Sequence, residues 1–374
     1  MSDKVRILRI VTRLNVGGVS FLVNFLHDSF SANEKFEELV LFGNCGRGEP
    51  EYTQNFKNGS WEKISSLQRK PSIFRDLKTL FKIVRKIQEY RPAIVDLHMF
   101  KAGLLGRLAV ILCINLKCKV IYHVHGHLLD GYLSKMEKRL YLWIEKILAS
   151  KTSVFVFDGL RVKSDFYSVG ILRDRKSYVF MPGVLPSSTP GTRASRTGNL
   201  RVGWVGRLTE IKRPEIFLRL ASDVNAMLPD VKFLMFGEGE LKDQTIKRIH
   251  SEGNLVELRN FSQNVYRDVL SKFDLLVVTS ANEGTPLIIM EAAMVGIPTV
   301  ALNVGSVGEV ISHNKTGILC ENYEHLFNSI IELQASNPLF EKMSRSALEK
   351  AHMEFMVLRY VKQHNSLYSE LSTS

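Results

Sequence analysis

The sequence predicts an α/β protein made of two Rossmann-like, doubly wound domains that face each other across a cleft. Its 374 residues are too many for one hydrophobic core and suit two domains. Short β-branched runs alternate with helical segments, which is typical of parallel sheets covered by helices on both faces. The alternation stops over residues 185–199, where Pro, Ser, Thr and Gly dominate, and then starts again. We interpret this stretch as an interdomain linker.

Residues 1–184 are expected to form the first domain. It begins with the strand VRILRIV, a turn that contains Gly17 and Gly18, and an apolar-periodic helix from Val19. Residues 72–90 have the pattern of an amphipathic helix with a basic face. Further buried strands are predicted at 37–42, 93–98, 119–125, 153–157 and 177–181.

Residues 200–354 are expected to form the second domain. Its strands are predicted at 200–206, 231–237, 255–258, 274–280, 298–302 and 316–320. The tail from about residue 339 to residue 371 has a helical pattern without a strand. In doubly wound sheets, ligands bind beyond the carboxyl ends of the strands, so the site residues should lie in the loops that follow them.

The charge of the chain is distributed unevenly. The sequence has 50 Lys and Arg against 38 Asp and Glu, a net charge of +12. Residues 1–190 contain 30 basic and 17 acidic residues, whereas residues 191–374 contain 20 and 21. The excess positive charge in the first half indicates an anionic partner there: a membrane surface, a phosphorylated lipid or nucleic acid.

The compartment is predicted from features that the sequence lacks. The N-terminus reads as a charged strand start and not as a signal peptide. The apolar run from Leu108 to Leu116 is far shorter than the roughly 20 residues of a spanning helix. The four cysteines have no metal-binding spacing, and free thiols suit a reducing compartment. We expect a cytoplasmic protein.

The segment ANEGTPLIIMEAAMVGIP (281–298) contains the clearest site signal. Thr285 and Pro286 predict a helix start, and the free N–H groups and positive dipole end of such a helix suit a phosphate. Glu283 precedes this start, and Glu291 lies inside the helix among apolar residues. A buried carboxylate is costly unless something pairs with it. Glu291 could accept hydrogen bonds from a ribose diol, or it could pair with a buried Arg or Lys.

The segment VGWVGRLTEIKRP follows the first strand of the second domain. Arg207 and Lys212 lie in this loop, where a guanidinium and an ammonium could together hold a diphosphate. A solvated basic loop is the alternative. Because this segment and residues 281–298 follow strands of one sheet, each supports the other as a site.

Two further loops give weaker signals. Gly237 begins the GxG of FGEGEL, which lacks the third glycine of a dinucleotide fingerprint and could simply make a tight turn. Val265 ends NFSQNV, a post-strand loop whose backbone could face a base.

Histidines cluster after a strand of the first domain. His123, His125 and His127 could suggest a metal site, but no acidic ligand has a matching spacing, so we favour a polar cluster at the cleft edge. His98 and Lys101 lie at another strand-to-helix junction. The sequence has no Asp-x-Asp, Walker A or G-x-S-x-G motif. We therefore predict that no metal is required.

Taken together, and in this order along the chain, the paired glycines, GRLTEIK and the Glu283-x7-Glu291 pair resemble the retaining glycosyltransferases of the GT-B fold, family four. The resemblance covers almost the whole chain. HMFKAGLLGRLA and HVHGH further resemble bacterial transferases that build O-antigen or capsule units on a lipid carrier. The resemblance implies retaining hexosyl transfer from a nucleotide sugar to a saccharide acceptor, with UDP-hexose or UDP-N-acetylhexosamine as the favoured donor. It also implies that the acceptor is linked to a polyprenyl diphosphate and that the reaction belongs to bacterial surface polysaccharide synthesis.

The resemblance also implies a role for each matching residue. Arg207 and Lys212 would bind the donor diphosphate, Glu283 would contact the donor sugar and Glu291 would hold the ribose. The residues expected to act on the reacting groups are His125, Arg207, Lys212 and Glu283. The expected donor-binding residues are Gly17, Gly18, Arg207, Lys212, Gly237, Val265, Glu283, Gly284, Thr285, Pro286, Leu287 and Glu291. A C-terminal helix at 355–374 would pack back on the first domain.

The basic segments 72–90 and 131–151 mix Lys and Arg with Trp, Tyr and Leu. This composition suits a peripheral position on an anionic membrane surface at the inner face of the cell membrane, although ordinary helices with solvated faces are the alternative.

Other functions remain open at this point. The nearest alternative is a nucleotide-sugar epimerase-like GT-B enzyme. A nucleotide-dependent oxidoreductase ranks lower, because the sequence lacks a full G-x-G-x-x-G with a ribose-binding acid after it. A nucleic-acid-binding module would explain the basic half, but no recognised motif supports it, and we expect no nucleic acid partner.

Overall fold

A computed structural model describes residues 4–31, 33–46, 49, 51–52, 60–126, 134–187, 198–262 and 264–373. The chain divides into two compact units. The first unit comprises Met1–Met181 and Leu358–Ser374, and the second unit comprises Pro182–Val357. Each unit is built around its own parallel sheet, which confirms the predicted fold class of two Rossmann-like domains.

The first unit contains a seven-stranded sheet in the order β3-β2-β1-β4-β5-β6-β7, and every neighbouring pair is parallel. Its strands are β1 (Val5–Val11), β2 (Phe36–Phe42), β3 (Trp61–Lys63), β4 (Ile94–His98), β5 (Lys119–Val124), β6 (Val154–Phe157) and β7 (Ser177–Val179). Its first five helices are α1 (Gly18–Ser31), α2 (Ile73–Tyr90), α3 (Phe100–Leu112), α4 (Lys135–Leu148) and α5 (Leu160–Ser168).

The second unit contains a six-stranded parallel sheet in the order β10-β9-β8-β11-β12-β13. Its strands are β8 (Arg201–Val205), β9 (Lys232–Phe236), β10 (Val256–Arg259), β11 (Leu275–Val278), β12 (Thr299–Leu302) and β13 (Gly317–Cys320). Its helices are α6 (Pro214–Met227), α7 (Lys242–Ser251), α8 (Leu287–Met294), α9 (Val307–Val310), α10 (Tyr323–Ala335) and α11 (Asn337–Glu354).

The chain passes between the units near Met181 and again near Val357. Val184 belongs to the second unit, where its N–H donates to Phe355 O at 2.8 Å and its carbonyl accepts from Val357 N at 3.0 Å. The last helix, α12 (Val357–Thr373), contributes its residues from Leu358 onwards to the first unit. Residues 188–197 of the expected linker lie outside the described residues.

Two buried apolar clusters stabilise the sheets. In the first unit, one face of the sheet packs side chains such as Leu97 and Phe155 against helices, and in the second unit Trp204 and Phe217 do the same. Among the described residues, no helix combines the length and the apolar composition that crossing a bilayer requires.

The strand orders locate where a ligand site should be. In each sheet the chain first builds strands to one side and then returns to build the other side. The order therefore reverses between β1 and β4 in the first unit and between β8 and β11 in the second. Loops that diverge from such a switch point leave a crevice at the carboxyl ends of the strands, where doubly wound folds bind ligands.

Candidate active site

The switch point of the second sheet brings together two sequence motifs that lie far apart in the chain. Arg207 and Lys212 follow β8, and Glu283 follows β11, the adjacent strand. Lys212 Nζ donates to Glu283 Oε1 at 2.5 Å, and Ser280 Oγ donates to the same oxygen at 2.6 Å. Glu283 is buried, whereas Lys212 keeps about a quarter of its side chain exposed, at 23%. The cation can therefore reach a ligand while the acid holds it in place.

A buried threonine fastens these two loops to each other. Thr279 Oγ1, just beyond β11, accepts from Trp204 Nε1 at 3.0 Å and donates to the carbonyl of Lys212 at 2.9 Å. The N–H of Ala281 donates to Ile211 O at 2.8 Å. Because both loops are tied through their backbones, the Lys212–Glu283 pair is preorganised before any ligand arrives.

Gly305 packs closely against the backbone of Glu283. Its φ is +53°, and a Cβ at this position would lie 1.8 Å from the carbonyl oxygen of Glu283. The next residue, Ser306, donates its N–H to the same oxygen at 3.1 Å. Only glycine allows this close approach, so Gly305 is a site residue that the sequence analysis missed. The NVGS sequence around it gives a turn signal but no signal of the contact.

Helix α8 begins one residue later than the sequence predicts. Pro286 has φ −76° and ψ 110°, which is extended backbone, so it precedes the helix and does not occupy its first turn. Gly296 has φ +70° and ends the helix as predicted. Among the described residues, none accepts a hydrogen bond from the backbone N–H groups of Gly284, Leu287 or Ile288. These groups and the dipole of α8 therefore suit an anionic group.

Glu291 lies on the half-exposed side of α8 together with Leu287 and Ile288, as the helical spacing predicts. Its carboxylate has no hydrogen bond or ion pair with any residue that the structure describes, so the alternative of a buried Arg or Lys partner is wrong for this part of the chain. Burial in apolar surroundings raises the pKa of Glu291 to about 7. The pKa of the Tyr266 hydroxyl is raised, mainly by burial and also by the nearby charge of Glu291.

The remaining predicted residues of the second unit surround the same switch point. Arg207 is half-buried directly after Gly206. A Cβ on Gly237 would lie 2.2 Å from Gly206 O, so this glycine is required by packing of the loops after β8 and β9. Val265 begins a π-helical turn that ends at Val269, after β10. Gly284 and Thr285 are half-buried in the loop before α8.

In the first unit, Gly17 and Gly18 stand where β1 leads into α1. Gly18 is the first residue of α1, and Gly17 is exposed. A Cβ on Gly17 would meet the side chain and carbonyl of Asn15, at 3.7 and 4.0 Å, and no closer contact with a described residue requires glycine there. The position leaves room for a ligand to approach the backbone.

The predicted histidines of the first unit form a stack around a buried ion pair. Arg9 in β1 is aligned with Asp96 in β4, and its guanidinium contacts that carboxylate and Glu38. The rings of His98 and His123 stack at 4.2 Å between centroids. Burial alone would raise the pKa of Asp96, but His123, Arg9 and His98 hold it well below its usual range. Burial lowers the pKa of His98 and of His123, which keeps both imidazoles neutral.

Close polar contacts connect the histidines along this stack. His98 Nε2 lies 2.8 Å from Arg9 NH1, which can only donate, and 3.1 Å from Asp96 Oδ2, which can only accept. His98 Nδ1 lies 2.9 Å from His125 Nε2. His125 Nδ1 in turn donates to the carboxylate oxygen Asp158 Oδ2 at 2.8 Å. Both ring nitrogens of His125 are therefore engaged within the first unit.

The same geometry favours a hydrogen-bonded stack over a metal centre. Ligand nitrogens of His98, His123 and His125 lie within 4.8 Å of one another. However, the 2.9 Å between His98 and His125 is shorter than two nitrogens bound to one zinc ion allow, and the nearly parallel rings do not converge on a point. His127, the third histidine of the motif, lies outside the described residues.

The C-terminal helix completes this cluster. Tyr368 of α12 donates its hydroxyl to Asp96 Oδ2, and His364 stacks on His123 with 5.1 Å between centroids. Four residues of this cluster were not predicted from the sequence: Arg9, Asp96, Asp158 and Tyr368. The available signal was a charged residue inside an otherwise apolar strand, in VRILRIV and again in AIVDLH.

Comparisons with known proteins agree with the two-unit architecture. A family described as "Glycosyl transferases group 1" matches residues 192–350, and one described as "Glycosyl transferase 4-like domain" matches residues 49–175. The chain is 25% identical over 324 residues to the UDP-Gal:alpha-D-GlcNAc-diphosphoundecaprenol alpha-1,3-galactosyltransferase of Escherichia coli, a match that covers 82% of this chain and 83% of that protein. It is 28% identical to the O-antigen biosynthesis glycosyltransferase WbnH of Escherichia coli over 67% of this chain and 69% of that protein.

Two solved structures share the fold over nearly the whole length. Sucrose-phosphate synthase from Thermosynechococcus elongatus has a TM-score of 0.79 at 16% identity, over 99% of this chain and all of that one. Anabaena HepE in complex with UDP and glucose has a TM-score of 0.78 at 20% identity, over 98% of this chain and all of that one.

Proposed function

Since the chain is a hexosyltransferase of the GT-B fold that belongs to the group 1 glycosyl transferases, we propose that it moves a hexose or N-acetylhexosamine from a UDP-sugar to a saccharide acceptor with retention of configuration. The observation that carries the donor assignment is the preorganised Lys212–Glu283 pair at the same switch point as Glu291, which has no partner among the residues that the structure describes. HepE, a protein of the same fold, is described in complex with UDP and glucose, which supports a UDP donor here.

In this proposal each group of the site acts on a different part of the donor. Arg207, Lys212 and the amides before α8 neutralise the diphosphate, on which negative charge grows as the glycosidic bond breaks. Glu283 contacts hydroxyls of the sugar, and Glu291 accepts hydrogen bonds from the ribose. Because these cations and dipoles balance the charge of the diphosphate, no metal ion is required.

The remaining predicted groups belong to both units. Gly237 and Val265 shape the nucleotide pocket of the second unit, and Gly17 and Gly18 leave the backbone of the first unit open to a phosphate group. His125 of the first unit would exchange its contact with His98 for one to a sugar hydroxyl, while Asp158 keeps the orientation of its ring. No enzymic nucleophile is needed if the leaving phosphate oxygen takes the proton of the acceptor hydroxyl.

The acceptor is proposed to be a saccharide on a polyprenyl diphosphate, in the synthesis of a bacterial surface polysaccharide. The name of the galactosyltransferase relative includes a diphosphoundecaprenol substrate, and WbnH is named for O-antigen biosynthesis, which supports this class. Such an acceptor lies at the cytoplasmic face of the membrane, so an anionic membrane surface is part of the proposal.

A nucleotide panel tests the donor site without knowledge of the acceptor. The melting temperature of the wild type and of Glu291→Gln is measured with UDP, GDP, ADP and TDP and with their hexose derivatives, each with and without a metal chelator. A ligand that binds the native state raises the melting temperature by mass action. We expect UDP and one UDP-sugar to stabilise the wild type in chelator and to lose this effect in the variant. A folded wild type that no nucleotide stabilises would refute the donor site.

The reaction itself is tested by product analysis. With the stabilising UDP-sugar and a short diphosphate-linked saccharide, NMR of the product gives the anomeric configuration. Retention supports the proposal, and inversion refutes the mechanism. An isomerised nucleotide sugar formed without any acceptor would favour the epimerase-like alternative.

A further inference from the structure

Helix α4 of the first unit has two apolar stripes, although its packing uses only one. Its buried residues, Tyr141, Glu145 and Leu148, follow helical spacing and face the sheet. A second stripe with the spacing i, i+4, i+7 and i+11 lies on the opposite side of the helix. It consists of Met136, Leu140, Trp143 and Ile147, all exposed, with Trp143 at 63%. Packing within the unit does not explain this stripe, because a helix on a sheet needs only one apolar face.

Helix α2 repeats this arrangement. Its buried side is formed by Thr79, Ile83 and Ile87. Its outward side exposes Ile73, Phe74, Leu77 and Phe81, with Phe74 at 88%. Single exposed apolar residues are ordinary, but a row of four large ones on each of two helices is not.

Both helices belong to the same layer of the first unit. From β3 onward the strands β4, β5, β6 and β7 are added in one direction, and right-handed crossovers then place α2 to α5 on one face of the sheet. Helix α3 packs against α2 and against α4, and its end adds Ile111, Leu112 and Ile114, all exposed. Of the seventeen large apolar side chains exposed in the described residues, eleven lie on these three segments. We call these eleven residues the apolar outer face.

Positive charge accompanies the apolar outer face. Helix α2 carries five basic and two acidic residues, and α4 carries four basic and two acidic residues, of which Glu145 is buried in an ion pair with Arg107. The exposed basic side chains on and next to these helices are Arg69, Lys70, Arg75, Lys78, Lys82, Arg85, Lys117, Lys135, Arg139 and Lys146. Large apolar side chains bordered by Lys and Arg are the composition of surfaces that lie in the interface of an anionic bilayer.

We propose that the apolar outer face inserts into the interfacial layer of an anionic lipid bilayer, with Phe74, Phe81 and Trp143 below the headgroups and the basic side chains on the lipid phosphates. A second copy of this chain is a poorer occupant, because two such basic faces would repel each other. This inference rests on the proposed function in one respect, namely that the acceptor is located at a membrane.

Tryptophan fluorescence provides a direct test. The chain has three tryptophans; Trp204 is buried, Trp61 is half-buried, and Trp143 is exposed. The full-length protein is mixed with vesicles of phosphatidylcholine alone and with vesicles that contain phosphatidylglycerol. We expect a blue shift and quenching by brominated acyl chains with the anionic vesicles, and loss of both signals in Trp143→Phe while sedimentation with the vesicles continues.

Sedimentation of variants separates insertion from adsorption by charge. Phe74→Ser and Phe81→Ser are each expected to weaken the partition into anionic vesicles by roughly ten-fold. The matched controls are Met227→Ser and Met353→Ser, two exposed apolar residues of the second unit, which should leave the partition unchanged. Melting temperatures of all variants are measured, because the changes lie on exposed positions and should not unfold the protein.

Three outcomes would overturn the inference. The first is that folded wild type ignores anionic vesicles. The second is binding without a blue shift that 0.5 M salt abolishes, since this would be adsorption by charge alone. The third is that Phe74→Ser disrupts a dimer in solution and leaves vesicle binding unchanged. The assay contains no nucleotide or sugar, so its failure would leave the donor site untouched, and a failed nucleotide panel would leave the apolar outer face untouched.

Discussion

Lys212 and Glu283 face each other with 2.5 Å between Nζ and Oε1, although 71 residues separate them in the sequence. The contact exists because β8 and β11 are neighbours at the point where the strand order reverses. It makes the two motifs a single site, in which the acid sets the position of the cation and Ser280 sets the position of the acid.

Lys212→Met should weaken UDP binding by about ten- to hundred-fold, because a charge-assisted contact to the diphosphate is lost. Isothermal titration with UDP measures the change. Arg248→Met is the matched control, since it removes a cation of the same unit from a half-exposed pair with Glu252 and should leave the affinity unaltered. Equal UDP affinity in wild type and Lys212→Met would show that the cation does not touch the donor.

Glu291→Gln should make the protein more stable above neutral pH while it abolishes nucleotide binding. Burial raises the pKa of Glu291 in the folded protein to about 7 from an ordinary value of 4.5, so the folded protein binds this proton more tightly than the unfolded chain. Stability from this group is therefore present below pH 4.5 and is lost as the pH rises towards 7. The melting temperatures of the two proteins should be close at pH 5 and should separate at pH 8 in favour of the variant.

Wild type and Glu291→Gln share every other titratable group, so the difference between their melting temperatures reports the titration of Glu291. A variant that is less stable than wild type at pH 8 would mean that Glu291 has a stabilising partner after all. In wild type, UDP affinity should rise from pH 5.5 through pH 7 and level off only at about pH 8, because the ionised carboxylate is the form that accepts hydrogen bonds from the ribose and its pKa is about 7.

Gly305→Ala should displace the loop that carries Glu283. The added methyl group would lie 1.8 Å from the carbonyl oxygen of Glu283, and the φ of +53° disfavours alanine as well. We expect a lower melting temperature and UDP binding weaker by at least ten-fold. Gly253→Ala is the matched control, because this glycine has a φ of +77° in the same unit with nothing within 4 Å. The control should lose about 1 kcal/mol of stability and keep its affinity. Equal effects of the two changes would assign Gly305 a backbone role only.

Asp96→Asn should destabilise the first unit by roughly 3–5 kcal/mol, since it removes one of the two buried carboxylates that Arg9 contacts and the charge of the group that accepts from Tyr368. Urea unfolding followed by circular dichroism measures the change. Glu370→Gln breaks an exposed pair with Lys176 in the same unit and should cost less than about 1 kcal/mol. Similar losses in both variants would show that the buried cluster contributes no more than a surface ion pair.

The sequence was sufficient for the fold and for the secondary-structure elements that carry the proposed donor site. Short β-branched runs that alternate with helices indicate strands buried on both faces of a sheet, and this pattern is visible within each short segment. The strands therefore lie close to where they were expected. Glu291 stays on the half-exposed side of α8 because helical spacing alone decides its direction. The start of that helix was misplaced by one residue, since Pro286 takes an extended ψ that its sequence context does not reveal.

The buried cluster of the first unit could not be predicted, because it depends on register between strands that are distant in sequence. Arg9 meets Asp96 only because β1 pairs with β4 in this alignment, and Tyr368 reaches the same carboxylate from the other end of the chain. The contact between Gly305 and Glu283 has the same origin. The spacing of residues within one segment reveals neither the partners of Asp96 nor the contact between Gly305 and Glu283.

The discontinuity of the first unit has a consequence for synthesis of the protein on the ribosome. Residues up to Met181 emerge early, but Tyr368 and His364, which close the cluster around Asp96 and pack on Phe30 and His123, emerge after the whole second unit. Until then the nascent first unit lacks the hydroxyl that contacts Asp96, and Phe30 lacks the ring of Tyr368 that packs on it. The second unit, which is continuous in the chain, can finish folding before the first does.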